Sequence, residues 1–140
     1  MATRKIQAQT APITELPANV HRIDGTDLLY TTSGNEQFTH QDAAKWAKGL
    51  PRIAGYSKWD LAEKREAVLL LDDKRYSPAV NTKKHPGIES EWFWLKPVDA
   101  SSPFDLAWLV NFGSGRFVRN YRGCHSLALA VCRPLPASQQ

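Results

Sequence analysis

The sequence lacks any apolar run close to the ~18 residues that a membrane-spanning helix requires. After the basic residues Arg4 and Lys5 it also lacks the apolar segment of a secretory signal peptide. We therefore expect no membrane span and no signal peptide. We expect the chain in the cytoplasm of the cell that makes it, unless it leaves within a larger particle.

Cysteine is scarce, with Cys124 and Cys132 the only two. In a reducing compartment both are most simply interpreted as idle or buried thiols, and a disulfide or a redox pair is the alternative. His125 follows Cys124, and a thiol beside a histidine is an arrangement that nucleophilic catalysis uses. Neighbours in sequence need not touch in space, so this pair does not by itself predict an enzyme.

Neither basic nor acidic residues strongly outnumber the other. Eighteen Lys and Arg stand against fourteen Asp and Glu, which gives a net charge of +4 and a pI of about 9.2. The two signs are interspersed, which is typical of a solvated mixed-charge surface. This balance permits nucleic-acid binding without indicating it, so nucleic acid is not an expected partner.

What is present suffices for one folded domain. The chain has 140 residues, of which 42% are hydrophobic and 10% aromatic, so it can bury a core and is not expected to be disordered. Residues 1–19 are polar, contain Pro12 and Pro17, and predict an extended arm. We predict a single domain over residues 20–136 and a short tail over 137–140.

The clearest strand pattern comes late in the chain. Apolar side chains alternate over residues 106–112, and Gly113 and Gly115 can supply the positive φ of a tight turn. Residues 116–119 then predict the returning strand, and residues 126–133 a third strand that ends before two prolines. We expect a β-meander of these three strands at the centre of the sheet.

Earlier segments add a hairpin, two helices and a strand. Asp24-Gly25 predicts a hairpin turn within 20–32. Thr39 predicts the start of a helix that ends at Gly49 and Pro51. Asp60 and Glu63 predict the start of a second helix with an apolar face that includes Leu61, Val68, Leu69 and Leu71. Residues 91–96 predict a strand with Trp92 and Trp94 on one face and Phe93 on the other.

Patterns for metals and phosphates are missing as well. The four histidines are spread along the chain, without C-x-x-C or H-x-x-x-H groupings. Gly113-Ser114-Gly115 lies between predicted strands, whereas a phosphate loop precedes a helix. We expect no metal and no cofactor.

Several stretches together resemble one family. Gly55-Tyr56-Ser57-Lys58-Trp59-Asp60-Leu61, with Glu66 after it, is similar to the G-Y-S-D-W-R-L-P-T-x-x-E-L segment of the DUF1566 or Lcl C-terminal domain family. Ser77-Pro78-Ala79-Val80 is similar to the family's N-P-A-I motif, and Trp94 matches the tryptophan of its Y-W-S-S-T motif. Ala107–Phe112 with Gly115 is similar to A-W-x-V-x-F-x-x-G, and Arg133 matches the last residue of V-R-C-V-R. The chain resembles a divergent member, because Asp60, Ala62, Leu95-Lys96 and the position of Cys132 depart from these motifs.

The resemblance implies an α+β, C-type-lectin-like fold, with two helices packed on a small twisted antiparallel sheet and the N- and C-terminal strands paired. The family occurs in bacterial surface adhesins, phage and prophage proteins and hypervariable binding proteins, more often as display scaffolds than as enzymes. The sugar-binding signatures E-P-N, Q-P-D and W-N-D are absent here, and Asp99 and Asp105 are the only carboxylates in the loop before the late strands. A calcium site is therefore not expected.

The resemblance leads us to expect a non-catalytic, lectin-like protein-binding module that is a structural or accessory component of a phage or prophage virion, such as a tail, fibre or capsid protein. Its partners would be proteins of a larger assembly, with a glycan as a further candidate. One alternative is a small intracellular inhibitor of a host protein. The other is an enzyme like the formylglycine-generating group, which would require an exposed, low-pKa thiol at Cys124 or Cys132.

In a lectin-like fold the binding face comes from the second half of the domain. Arginine and tyrosine are enriched at binding hot spots, although the same arginines can simply be solubilising charge. Arg116, Arg119 and Arg122 are three apart and need not share one side. The expected face comprises Glu91, Phe93, Lys96, Asp99, Phe104, Arg116, Arg119, Asn120, Tyr121 and Arg122.

Overall fold

The computed structural model describes residues 16–96 and 106–136 as a seven-stranded sheet with two short helices. The α+β class is confirmed. The predicted arm falls largely outside the described residues and the predicted tail wholly outside them. In chain order the elements are β1 His21–Arg22, β2 Leu29–Thr32, α1 His40–Lys48, β3 Asp60–Leu61, α2 Lys64–Val68, β4 Trp92–Trp94, β5 Leu106–Asn111, β6 Arg116–Tyr121 and β7 Leu127–Cys132.

The last strand, β7, lies at the centre of the sheet. The strand order is β1-β2-β7-β4-β5-β6, and β3 also pairs with β7. The β4–β7 pair is parallel and the other pairs are antiparallel, so the sheet is mixed where an antiparallel one was expected. Pairing of β2 with β7 joins the two ends of the domain, as expected.

The predicted late meander is wrong in its last step. β5 and β6 form the expected hairpin, but β7 pairs with β2, β3 and β4, and β4 lies between β7 and β5. The physical reason is burial: all six residues of β7 are buried, which suits a strand covered on both faces. β6 carries exposed Arg116, Arg119 and Asn120, which suit an edge.

Hydrophobic cores lie on both faces of the sheet, because side chains alternate along each strand. Leu127, Leu129 and Val131 of β7 join one core, which includes Phe93 and packs against α2 through Ala67. The smaller side chains of Ala128, Ala130 and Cys132 join the other core, which contains Trp59, Trp94 and the α1 residues Ala43 and Ala47. Small residues on that face of β7 leave room for the two large indole rings.

The first helix and the first hairpin agree with the sequence. The Thr39 hydroxyl accepts a hydrogen bond from the Asp42 amide at 3.3 Å, and the helix ends at Lys48 with Gly49 as its cap. In the β1–β2 hairpin, Gly25 has a φ of +82°, which the predicted turn requires.

The second helix starts later than predicted and is shorter. Asp60 does not cap it; Asp60–Leu61 form β3, because their backbone pairs with β7. The helix begins after Glu63, which forms a reciprocal capping box with Glu66. The predicted apolar face is also wrong, since Val68 and Leu69 are 49% and 47% exposed while Ala67 is buried.

A largely buried ion pair connects α2 to the end of β7. Arg133 Nε lies 2.7 Å from Glu66 Oε2, and Arg133 Nη2 lies 2.6 Å from Glu66 Oε1. The Glu66 side chain is 5% exposed, and its Oε1 also accepts the Glu63 amide at 2.8 Å. Two parallel bonds to a shielded carboxylate make this the strongest type of side-chain ion pair.

We predict that Arg133→Met lowers the free energy of unfolding by about 3–5 kcal/mol, because it leaves a buried carboxylate unpaired. The double variant Glu66→Gln with Arg133→Met should regain part of that loss, since no buried charge remains. Urea unfolding measures both. The matched control is Arg65→Ala, which removes an exposed pair with Glu63 and should cost less than about 1 kcal/mol. An Arg133→Met cost no larger than that of the control would contradict the prediction.

Candidate functional site

Of the predicted site residues Phe93, Lys96, Asp99 and Phe104, the structure describes the first two. Phe93 is 1% exposed and lies in the core beside Phe112, so its prediction as a binding residue is wrong. The reason is that both faces of β4 are covered. Lys96 is half-buried and pairs with Asp60 at 3.0 Å. Asp99 and Phe104 lie outside the described residues.

The remaining predicted residues lie on or after β6 but on different sides of it. Arg116 pairs with Asn111 across the hairpin, whereas Arg119 pairs with Trp108 on the opposite face of the sheet. Arg119 and Tyr121 are exposed and share that face, by alternation. Arg122 is partly buried, and its Nε donates to the Leu106 carbonyl at 3.2 Å. The expected face is therefore divided between two sides.

One side forms a cation–aromatic cluster that we call the β6 surface, defined by Lys64, Trp108, Phe117, Arg119 and Tyr121. Lys64 Nζ lies 4.2 Å from the centre of the Trp108 ring and 5.2 Å from that of Phe117. Arg119 Cζ lies 5.6 Å from the Trp108 ring centre. Each such contact contributes about 0.5–1 kcal/mol at an exposed site.

Sequence reasoning missed Lys64, Trp108 and Phe117. The hairpin register could have identified the two aromatics, because a turn between Asn111 and Arg116 places Trp108 opposite Arg119. No local signal identifies Lys64, because its position depends on α2 packing against β5.

The charge around the β6 surface is positive. The sequence from Leu106 to its end contains four arginines and neither Asp nor Glu. The two acidic residues at the start of α2 are already engaged: a hydrogen bond from Arg65 lowers the pKa of Glu63, and Glu66 holds Arg133. β5 and β6 thus supply no carboxylate to pair with Arg119, and the acidic residues of α2 nearest to Lys64 are engaged by other cations.

β6 also presents backbone groups at the edge of the sheet. The Leu95 amide donates to the Trp108 carbonyl and the Phe112 amide to the Glu91 carbonyl, so even-numbered residues of β5 bond to β4. Antiparallel ladders alternate, so the odd-numbered residues of β5 bond to β6 and pair with Val118 and its even-numbered neighbours. The N–H and C=O groups of Phe117 and Arg119 therefore point outward, where no described strand pairs with them.

The sequence model of the Lcl C-terminal domain matches residues 19–132, which include the seven strands and two helices of the described residues. The chain belongs to the Lcl C-terminal domain family. The resemblance found in its motifs is confirmed. None of the curated proteins compared with the chain matches it.

The motifs that identify this Lcl C-terminal domain maintain its fold. The Trp59 indole donates to the Pro51 carbonyl at 2.9 Å, and the Trp94 indole donates to the Phe38 carbonyl at 2.8 Å. The Tyr56 hydroxyl donates to the Asp27 carbonyl at 2.9 Å. All three rings are buried and serve the fold, whereas Trp108 of the Ala107–Phe112 motif lies on the β6 surface.

The two thiols of the Lcl domain are both free, with Cys124 exposed and Cys132 buried. Burial raises the pKa of Cys132 to about 12, which is opposite to what a reactive thiol requires. Within residues 16–96 and 106–136, no three His, Cys, Asp or Glu side chains are grouped as a metal site would require. No helix of the described part is long and apolar enough to cross a membrane.

We predict that a disulfide reagent such as dithionitrobenzoate labels one thiol of the native protein and two of the unfolded protein, because Cys132 is buried and its pKa is raised. The released thiolate gives the count directly. Cys124→Ser should abolish native labelling, and Cys132→Ser should leave it unchanged. Rapid labelling of Cys132 in the folded protein would contradict this assignment.

We also predict stability effects of very different size for two of the expected site residues. Phe93→Ala should lower the free energy of unfolding by about 3–5 kcal/mol, since it removes a fully buried ring. Tyr121→Ala should change it by less than about 0.5 kcal/mol, because that ring is exposed. Chemical denaturation compares the two, and similar costs would refute the placement of Phe93 in the core.

Proposed function

We propose that this Lcl C-terminal domain is a non-catalytic protein-binding module, and that its β6 surface binds an acidic, extended segment of a partner protein. The observation that carries the proposal is the stack of Lys64 and Arg119 on Trp108, at the edge of the sheet. Aromatic residues and arginine are the types that dominate binding energy at protein interfaces.

Charge supports an acidic partner. Lys64 and Arg119 project over aromatic rings, and the strands beneath them carry no carboxylate to neutralise them. A partner carboxylate would meet cations that are partly desolvated by the rings, where charge pairing is stronger than in open water. An acidic segment also fits the absence of competing acidic groups on β5 and β6.

The outward backbone groups of Phe117 and Arg119 support an extended segment. An added strand can bond to such groups, and its alternate side chains then face the same side as Trp108. The backbone groups of Tyr121 cannot bond to an added strand in this way. Its N–H donates to Asn120 Oδ1, and its C=O accepts from the Cys124 amide. The binding edge is therefore centred on Phe117 and Arg119.

We further propose that the fold is C-type-lectin-like. Two features support this: β2 pairs with β7, which brings the two ends of the domain together, and α1 and α2 pack on opposite faces of the sheet. The binding edge then belongs to the second half of the domain, where lectin-like folds carry their recognition loops and strands.

The biological setting that we propose is a larger assembly, specifically a structural or accessory component of a phage or prophage virion. The occurrence of this family among phage and prophage proteins supports it. A surface with cationic, aromatic and backbone groups, rather than an enclosed catalytic centre, is also what an assembly component requires.

We predict that a photoreactive benzoylphenylalanine in place of Tyr121 cross-links to an acidic protein in cells of the source, whereas the same group in place of the exposed Lys48 on α1 does not. Arg119→Glu should weaken the recovered complex at least about tenfold, since it reverses a charge at the interface. Lys45→Glu makes the same change in charge on α1 and should leave affinity unchanged.

Strand addition has a sharper test at the same residue. Arg119→Ala removes the charge and keeps the outward N–H, whereas Arg119→Pro removes both. Proline is tolerated at an outward edge position, and loss of one hydrogen bond should make its complex about three- to tenfold weaker than that of the alanine variant. Equal affinities would reject strand addition.

Sedimentation of the cross-linked species distinguishes the biological settings. Recovery within assembled particles supports the virion component. Recovery with one soluble host protein would instead identify an inhibitor that uses the same surface.

A further inference from the structure

A second, chemically different site lies at the other end of the β5–β6 hairpin. A cleft of about 980 Å³ is bounded by the end of α2 and the segment after it, by the His85 loop, and by Ser114 and Gly115 of the hairpin turn. Its size is within the range of ~300–1,000 Å³ that ligand pockets usually have.

Exposed apolar side chains are concentrated at this cleft. Among the described residues, four large hydrophobic side chains are strongly exposed, namely Val68, Leu69, Tyr76 and Tyr121. Three of the four line this cleft, and the fourth belongs to the β6 surface. Val68 and Leu69 are 49% and 47% exposed, and Tyr76 is 79% exposed. Such grouping of apolar surface marks an interaction site.

The cleft wall also contains a buried hydrogen-bond donor. His85 is 6% exposed, and its Nε2 accepts the Asp24 amide at 3.0 Å. A neutral imidazole that accepts at Nε2 carries its proton on Nδ1, and burial lowers the pKa of His85, which favours the neutral ring. Within the described residues, Nδ1 has no hydrogen-bond partner, and the atom is shielded from solvent. Buried donors are normally paired, so this one indicates a missing acceptor.

The charges around the cleft balance one another. Its ionisable lining residues other than His85 and Tyr76 are three acidic and three basic side chains. Two pairs are already formed, with Arg75 Nε 3.0 Å from Asp72 Oδ2 and Lys84 Nζ 3.6 Å from Asp24 Oδ2. A neutral ligand suits this lining, in contrast to the cationic β6 surface.

We propose that this cleft binds a neutral, apolar peptide segment, whose side chains cover Val68, Leu69 and Tyr76 and one of whose backbone carbonyls accepts from His85 Nδ1 after the side chains that cover this atom move aside. A polypeptide supplies both required features, since each residue offers a neutral carbonyl next to a side chain. The site is separate from the β6 surface and does not depend on the function proposed there.

The test is a titration of the full-length, ¹⁵N-labelled chain with blocked tripeptides, followed by NMR of the amides and of the His85 ring nitrogens. The probe is acetyl-Leu-Gly-Leu-amide, and its matched controls are acetyl-Ser-Gly-Ser-amide and acetyl-Glu-Gly-Glu-amide. We expect saturable shifts in the millimolar range at Leu69, Tyr76 and the His85 Nδ1 resonance for the leucine peptide, and none for either control.

Variants connect the signal to the cleft. Leu69→Ser changes a half-exposed side chain and should weaken binding about tenfold, which is the effect of losing one buried apolar side chain. Tyr121→Ser makes a matched change on the β6 surface and should leave binding unchanged, as should Arg119→Glu. His85→Gln adds a test of the donor, but Leu69→Ser remains decisive if that variant fails to fold.

Three results would overturn the proposal: no saturable shift with the leucine peptide, equal shifts with the serine peptide, or equal affinity in Leu69→Ser. A His85 Nδ1 resonance that exchanges with water and is unaffected by the peptide would also overturn it, because an ordered water would then be the acceptor. None of these outcomes bears on cross-linking at Tyr121, so the two proposals fail separately.

Discussion

The ion pair between Arg133 and Glu66 determines where α2 lies, and the binding surface depends on that placement. Arg133 directly follows the central strand, and Glu66 both receives its guanidinium and closes the capping box that starts the helix. A five-residue helix has little intrinsic stability, so its position must come from such tertiary contacts. With α2 fixed, Lys64 at its first turn reaches the Trp108 ring of β5. A structural contact that is largely buried thus positions the partly exposed Lys64 over an aromatic ring.

Burial on both faces of the sheet restricts where recognition can occur. β7 is buried throughout, and β4 places Phe93 and Trp94 in opposite cores. The indoles of Trp59 and Trp94 donate to buried backbone carbonyls, so these two motif residues are committed to the fold. Exposed groups remain at the β6 edge and in the loops. Trp108 belongs both to a family motif and to the β6 surface, whereas the other residues of that surface are not motif residues. One scaffold can therefore present different side chains around the same tryptophan.

The sequence predicted what depends on local chemistry. The Asp24-Gly25 turn, the Thr39 cap and the β5–β6 hairpin each rest on residues close in sequence, and each is confirmed. The features that the sequence did not predict depend on contacts between segments far apart in the chain. Asp60 has the character of a helix cap, but pairing of its backbone with β7 makes it part of a strand. The central position of β7 and the place of Lys64 over Trp108 likewise follow from packing between segments far apart in sequence.

The β5–β6 hairpin connects two surfaces of opposite chemistry. Its turn, at Ser114 and Gly115, lines a cleft with balanced charge, and Tyr121 at the far end of β6 belongs to the cationic surface. Tyr121 is six residues after Gly115, a distance of about 20 Å along the strand. An acidic segment suits the cations of the β6 surface, and an apolar segment suits the exposed apolar side chains of the cleft. One rigid hairpin connects the cleft and the β6 surface. If a partner carries an acidic and an apolar segment at this spacing, binding of one segment holds the other at a high effective concentration near its own site.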